Sequence, residues 1–179
     1  MSAPRPLLIE IGCEELPSSS LRTLGVALDD LVGKKLAERK LAHGASRWFA
    51  TPRRLAVVVE GLQEQAPTQV REALGPPVDQ ARDGEGNWSR AAEGFAKRQG
   101  VTPDELDSVD TPKGPRLGLV REVPGVRAVD VLADLLRDVI DTLPVAKRMR
   151  WGASRLEFAR PIQWLVLMFG EEYGFGEVH

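Results

Sequence analysis

Trp48-Phe49-Ala50-Thr51-Pro52-Arg53-Arg54-Leu55-Ala56-Val57-Val58-Val59 holds two β-type segments, residues 48–50 and 55–59, with four residues between them. A connection that short admits only a tight turn, so the strands form a hairpin and run antiparallel, with Arg53 and Arg54 at the turn. Upstream, Leu7-Leu8-Ile9-Glu10-Ile11 reads as a short buried strand, ended by Gly12 and a Glu14-Glu15-Leu16-Pro17 turn. Ser18, Ser19 and Ser20 offer a helix cap. Leu21, Leu24, Leu28, Val32 and Leu36 then recur at helical spacing, which predicts an amphipathic helix to about Leu41 with Lys34, Lys35, Arg39 and Lys40 near the end where its dipole favours cations.

Downstream of the hairpin, residues 63–86 are polar and rich in Gly and Pro, and read as loop with a strand near Gln69 to Ala73. Ser89 caps a short helix over 90–99 that Gly100 ends, and Thr102-Pro103-Asp104-Glu105 combines a capping box with Pro at the first helical position, so a second short helix is expected there. Together they make a small helical insertion at 88–108. Residues 109–111 and 117–120 flank Pro112-Lys113-Gly114-Pro115 as a second hairpin. Val129, Leu132, Leu135, Leu136, Val139, Ile140 and Leu143 form the clearest helical stripe, which Pro144 stops, and residues 161–169 are an apolar run of strand length. Strands and helices thus alternate without regular βαβ order. The expected class is α+β: a mixed, largely antiparallel sheet packed with two long helices and the short helical insertion. The ending Glu177-Val178-His179 has no cap or closing element and reads as a truncation.

Composition narrows the function. The 179 residues are 42% hydrophobic and 28% charged, ordinary globular material for one large domain or two small ones. Lys and Arg number 24 against 26 Asp and Glu, a net charge of -2, so net charge alone points to neither nucleic acid nor membrane. The longest late apolar run, Ile162 to Phe169, is far below the roughly 20 residues a membrane span needs. A single cysteine, Cys13, excludes an internal disulfide framework and fits a reducing cytoplasm, and with only two histidines, ligands for Zn, Cu or Fe are scarce.

No catalytic set emerges. Glu14 and Glu15 are adjacent carboxylates, but neighbouring residues of a strand or turn diverge, so a turn or interface role weighs more than acid–base chemistry. Cys13 lacks a local base and reads as a small buried thiol. Gly84-Glu85-Gly86 lacks the third glycine of a dinucleotide loop and the Lys-Ser/Thr of a P-loop. Two basic clusters remain: Lys34 to Arg54 holds seven cations and one acid, and Lys147 to Arg160 holds five cations and one acid. Each also contains a tryptophan, Trp48 or Trp151. Arginine on a rigid turn beside an aromatic ring can clamp a phosphate while the ring stacks a base, as RNA contact requires; equally, it can meet acidic surface on a partner protein. The candidates are Arg53, Arg54, Lys147, Arg148, Arg150, Trp151 and Arg160, for RNA binding or for an interface.

Six segments in order make the chain recognisable: residues 7–17, LLIEIGCEELP; 49–57, FATPRRLAV; 75–77, GPP; 91–96, AAEGFA; 147–152, KRMRWG; and 160–164, RPIQW. In this order they resemble the N-terminal part of the β subunit of bacterial glycyl-tRNA synthetase, over essentially the whole chain. Cys13 stands where that family usually has threonine, and Arg82 where it usually has an aromatic residue. The resemblance implies residues 1–179 of a longer subunit, whose HD-like and anticodon-binding domains lie farther on. It also implies a cytoplasmic glycine–tRNA ligase of two α and two β chains, in which the α chain carries the site that uses ATP, Mg and glycine. The β chain, on the same resemblance, is expected to bind glycine tRNA. This region would then be a non-catalytic module for tRNA binding and α–β assembly, binding no cofactor itself, with no membrane or DNA partner; the alternative is a purely structural module without direct tRNA contact.

Overall fold

A computed structural model describes residues 3–150 and 157–173. The chain divides into two compact units, Met1–Pro67 with Gly125–His179, and Thr68–Pro124. The α+β class expected from sequence is the class observed. In chain order the elements are β1 (Arg5–Cys13), α1 (Leu21–Glu38), β2 (Ser46–Thr51), β3 (Arg54–Leu62), β4 (Gln69–Pro77), α2 (Arg90–Gln99), β5 (Asp107–Val109), β6 (Arg116–Val123), α3 (Ala128–Thr142), β7 (Met149–Arg150), β8 (Glu157–Phe158), β9 (Ile162–Phe169) and β10 (Glu172–Tyr173).

In the first unit five strands form an antiparallel sheet in the order β10-β9-β1-β3-β2. The earliest strand, β1, is central, with Ile9 opposite Val57 on one side and Leu167 on the other. Side chains alternate along a strand, so Leu7, Ile9 and Ile11 share a face with Leu55, Val57 and Val59. That face meets α1 through Leu24, Leu28, Val32 and Leu36 and α3 through Leu132, Leu135, Leu136, Val139 and Ile140, all in one buried cluster. Glu10 and Gly12 therefore point to the opposite face.

The helix ends differ from expectation in informative ways. Residues 18–20 do not cap α1 with a side chain; they form a 3-10 turn, and the Ser20 hydroxyl donates to the Pro17 carbonyl at 2.8 Å. At the other end α1 stops at Glu38 rather than Leu41, because Lys40 turns to φ 58. There the Lys40 N–H donates to the Ala37 carbonyl at 2.9 Å and the Leu41 N–H to the Leu36 carbonyl at 3.0 Å, a Schellman closure with buried Leu36 and Leu41 as its apolar contact. Helix α3 ends at Thr142, just before Pro144. The Arg148 guanidinium then donates to the carbonyls of Asp141 and Leu143 at 2.7 and 2.8 Å, acceptors that the helix end leaves open, and to that of Glu157 at 3.0 Å.

The second unit is a three-stranded antiparallel sheet, β4-β6-β5, carrying α2. Its small core joins Phe95 with Leu106, Leu117 and Leu119. The strand expected near Gln69 to Ala73 is present and longer: β4 runs to Pro77 at an edge of this sheet, where prolines cost no ladder hydrogen bond, and its register shifts between Leu74 and Pro77. Gly75 lies under the Phe95 ring, 2.6 Å from where a Cβ would be, so the approach of helix to strand requires its bare backbone. Helix α2 matches its expected bounds, with Ser89 Oγ accepting from the Ala92 N–H at 3.3 Å and Gly100 at φ 70. The second helix expected from Thr102 is one 3-10 turn, Pro103–Glu105. Glu105 still accepts from the Thr102 N–H at 2.8 Å, which holds its carboxyl below the usual range, but Leu106 returns to extended backbone and leads into β5.

Leu28 projects from α1 into the first core with no exposed surface. Leu28→Ala is expected to lower stability by about 2–5 kcal/mol in urea denaturation, since a central cavity cannot collapse between two helices and a sheet.

Candidate functional site

The hairpin of β2 and β3 turns through Pro52 and Arg53, with Thr51 opposite Arg54. Its tip is tied to the end of β1: the Cys13 N–H donates to the Arg53 carbonyl at 3.0 Å and the Leu16 N–H to the Pro52 carbonyl at 2.6 Å. The Glu14 N–H donates to the Pro161 carbonyl at 3.0 Å, so residues 13–16 bridge the hairpin tip and the start of β9. Beside this bridge Arg54, Gly12 and Trp164 stand in register across three strands. A Cβ on Gly12 would collide with the Trp164 indole, which takes that space.

An open cleft of about 610 Å³ results, lined by Cys13, Glu14, Thr51, Arg53, Arg54, Gln163 and Trp164. Glu10 anchors its base: Oε1 accepts from the Trp164 Nε1–H at 2.8 Å and lies 3.4 Å from Arg54 Nε. Glu14 accepts from Gln163 Nε2 at 3.0 Å and lies 3.7 Å from Arg53 Nη2. The Arg54 guanidinium carbon is 5.7 Å from the centre of the Trp164 ring, within range of a cation–π contact. Two carboxylates thus face two guanidiniums, and the Arg53 and Arg54 side chains remain 63% and 54% exposed.

The sequence candidates separate in space. Arg53 and Arg54 share the cleft, and Arg160 reaches its bridging segment by donating from Nε to the Glu15 carbonyl at 3.1 Å. Arg148 is committed to backbone carbonyls, Arg150 pairs with Glu157 at 2.9 Å across β7 and β8, and Lys147 is exposed. Trp151 lies outside the described residues. Trp48, the ring expected beside Arg53 and Arg54, shares the core face with Val57 and packs over Gly25 of α1. The aromatic residue of the cleft is instead Trp164. Its signals in sequence are the apolar run over 161–169 and the segment RPIQW at 160–164, and neither speaks to the register that sets it opposite Gly12.

Much of the first basic cluster is neutralised by acids distant in sequence. Asp138 of α3 lies 3.0 Å from Arg39 and 3.6 Å from Lys35, and the hydrogen bond from Arg39, then the charge of Lys35, holds its carboxyl below the usual range. Arg47 pairs with Glu60 at 3.1 Å. Chemical reactivity is equally restrained. Burial, reinforced by Glu14, pushes the Cys13 thiol up to about 11. Among the described residues no group of three or more His, Cys, Asp and Glu side chains is placed to hold a metal ion, and no helix is long and apolar enough to cross a membrane.

Residues 7–176 match the family model described as "Glycyl-tRNA synthetase beta subunit". Over 170 residues the chain is 44% identical to the glycine–tRNA ligase β subunit of Chromohalobacter salexigens, covering 95% of this chain and 25% of that one. The corresponding protein of Pseudomonas aeruginosa is 42% identical over 172 residues, with 96% of this chain and 24% of its own covered. That of Vibrio cholerae is 40% identical over 174 residues, with 97% and 25% covered. The chain spans about a quarter of the length of these curated relatives.

A thiol titrating near 11 is almost wholly protonated at pH 8, and the thiolate is the nucleophile. Cys13 is therefore expected to react with iodoacetamide at pH 8 at least about ten-fold more slowly in the folded chain than in urea, as read by mass spectrometry. The raised value also means that the contribution of Cys13 to stability is complete below about pH 9 and is lost as pH rises toward 11.

Proposed function

The chain belongs to the glycyl-tRNA synthetase β-subunit family, and on that premise we propose that it is a non-catalytic accessory region of a glycine–tRNA ligase, serving tRNA binding and subunit assembly. In this reading the enzyme is cytoplasmic and joins glycine to its tRNA with ATP and Mg bound by the α subunit, two α and two β chains making the working unit. The accessory reading is supported by the raised Cys13 thiol and by the contacts that Glu10 and Glu14 already make with Trp164, Gln163 and the two arginines.

The observation that carries the tRNA reading is the placement of Arg53 and Arg54, both more than half exposed, around a cleft that contains an exposed tryptophan. Guanidiniums held on a hairpin tip that is hydrogen-bonded to β1 are well positioned for phosphate oxygens. A specific observation also favours the second role. The intramolecular pairing of Lys35, Arg39, Arg47 and Arg150 leaves much of the remaining basic surface locally neutral, as suits contact with the α subunit or other β-chain domains rather than with a polyanion.

The test uses the full-length β subunit assembled with its α subunit. Each phosphate contact contributes roughly 0.7–0.9 to the slope of log K against log salt, so Arg53→Ala with Arg54→Ala should flatten that slope by about 1–2 and weaken tRNA binding. An unchanged affinity and slope would remove the tRNA reading of this cleft and leave the assembly role.

A further inference from the structure

We propose that the cleft receives one unpaired nucleobase of an RNA strand, stacked on the Trp164 indole and recognised at its edge by Glu14. The proposal rests on the reading of Arg53 and Arg54 as RNA contacts and adds a base pocket to it. Trp164 is held on one side by the bare backbone of Gly12 and at its N–H by Glu10, yet the residue is 41% exposed. With its one polar group already bonded, what it offers a ligand is ring surface. A ring fixed in this way loses little conformational freedom on stacking.

The groups around the ring fit a nucleotide better than a bare phosphate or a simple apolar side chain. Two guanidiniums provide for the phosphates that flank a base, while Glu10 and Glu14 balance their charge and make the cleft a poor sink for polyanion alone. A carboxylate has about four acceptor sites. Glu14 uses them for Gln163 and Arg53 and has capacity left at the cleft wall. Exocyclic amino groups of cytosine or adenine donate to such an oxygen, whereas O4 of uracil is repelled by it. The volume, about 610 Å³, lies within the roughly 300–1,000 Å³ range of sites for small organic ligands.

The experiment measures binding of glycine tRNA, and of short oligocytidylate and oligouridylate, to the assembled full-length enzyme carrying Trp164→Ala, Trp164→Phe or Glu14→Gln. Stacking on an aromatic side chain is lost in the alanine variant, so tRNA affinity should fall about ten-fold with an unchanged salt slope, and the phenylalanine variant should retain most of it. The parent should prefer oligocytidylate to oligouridylate. Glu14→Gln, whose amide can donate to O4, should erase or reverse that preference, a readout that a purely structural role would not move. If Trp164→Ala binds tRNA like the parent while the arginine variant flattens the salt slope, the base pocket is overturned and the phosphate contact stands. If neither changes binding, both fall. Loss of the α subunit from Trp164→Ala with intact tRNA affinity of the β chain would make the cleft a protein interface and overturn the proposal. An unaltered base preference in Glu14→Gln would overturn the role of Glu14.

Discussion

Pairing of β1 on both edges is the constraint from which the first unit follows. Its neighbours are β3, reached through α1 and a hairpin, and β9, more than a hundred residues later in the chain. With strict alternation of side chains, this double pairing decides at once which residues enter the core and which face outward. Leu7, Ile9 and Ile11 meet the two long helices, and burying such side chains contributes roughly 1.5–3 kcal/mol each before the conformational entropy of ordering them is counted. Glu10 and Gly12 are carried to the other face by the same geometry. The cleft is thus a by-product of register: shifting β1 by one residue would bury Glu10 and lift Ile9 and Ile11 out of the core.

A glycine and a tryptophan on adjacent strands then do what neither does alone. Gly12 lacks the Cβ that would collide with the indole, and Trp164 fills the gap so that its N–H reaches Glu10. Glu10 lies close to Arg54 as well, and one carboxylate therefore orients both the ring and a guanidinium of the cleft. The hairpin tip is held by backbone hydrogen bonds to Cys13 and Leu16, which keeps Arg53 and Arg54 on a rigid support. Burial keeps the Cys13 thiol at the cleft wall protonated.

Charge shows most clearly how sequence neighbourhood and spatial neighbourhood differ. Seven cations against one acid between Lys34 and Arg54 look like a basic strip when read along the chain. In space, Asp138 arrives from α3, Glu60 from across the hairpin, Glu10 from β1 and Glu14 from just after it, each beside a cation of that strip. Exposed pairs of this kind add little stability, about 0–1 kcal/mol each, but they redistribute surface potential along the strip.

The α+β class, the two long helices, the antiparallel hairpin and the late strand were legible in the sequence because each depends on local periodicity and on Gly or Pro punctuation. Helix ends and short elements were less so: Lys40 in the left-handed region, or a capping box that yields a single 3-10 turn at Pro103–Glu105, reflect what the chain must pack against next. Residues 74–77, the end of β4, read as loop because prolines are tolerated only at a sheet edge, and no local pattern identifies an edge. Of the site, the sequence by itself determined a tight turn that holds Arg53 and sets Arg54 at its edge, since turn length is a local property. Only the tertiary structure decided that Trp164 rather than Trp48 is their aromatic neighbour, because that choice is made by the register of β1 between two strands distant in the chain.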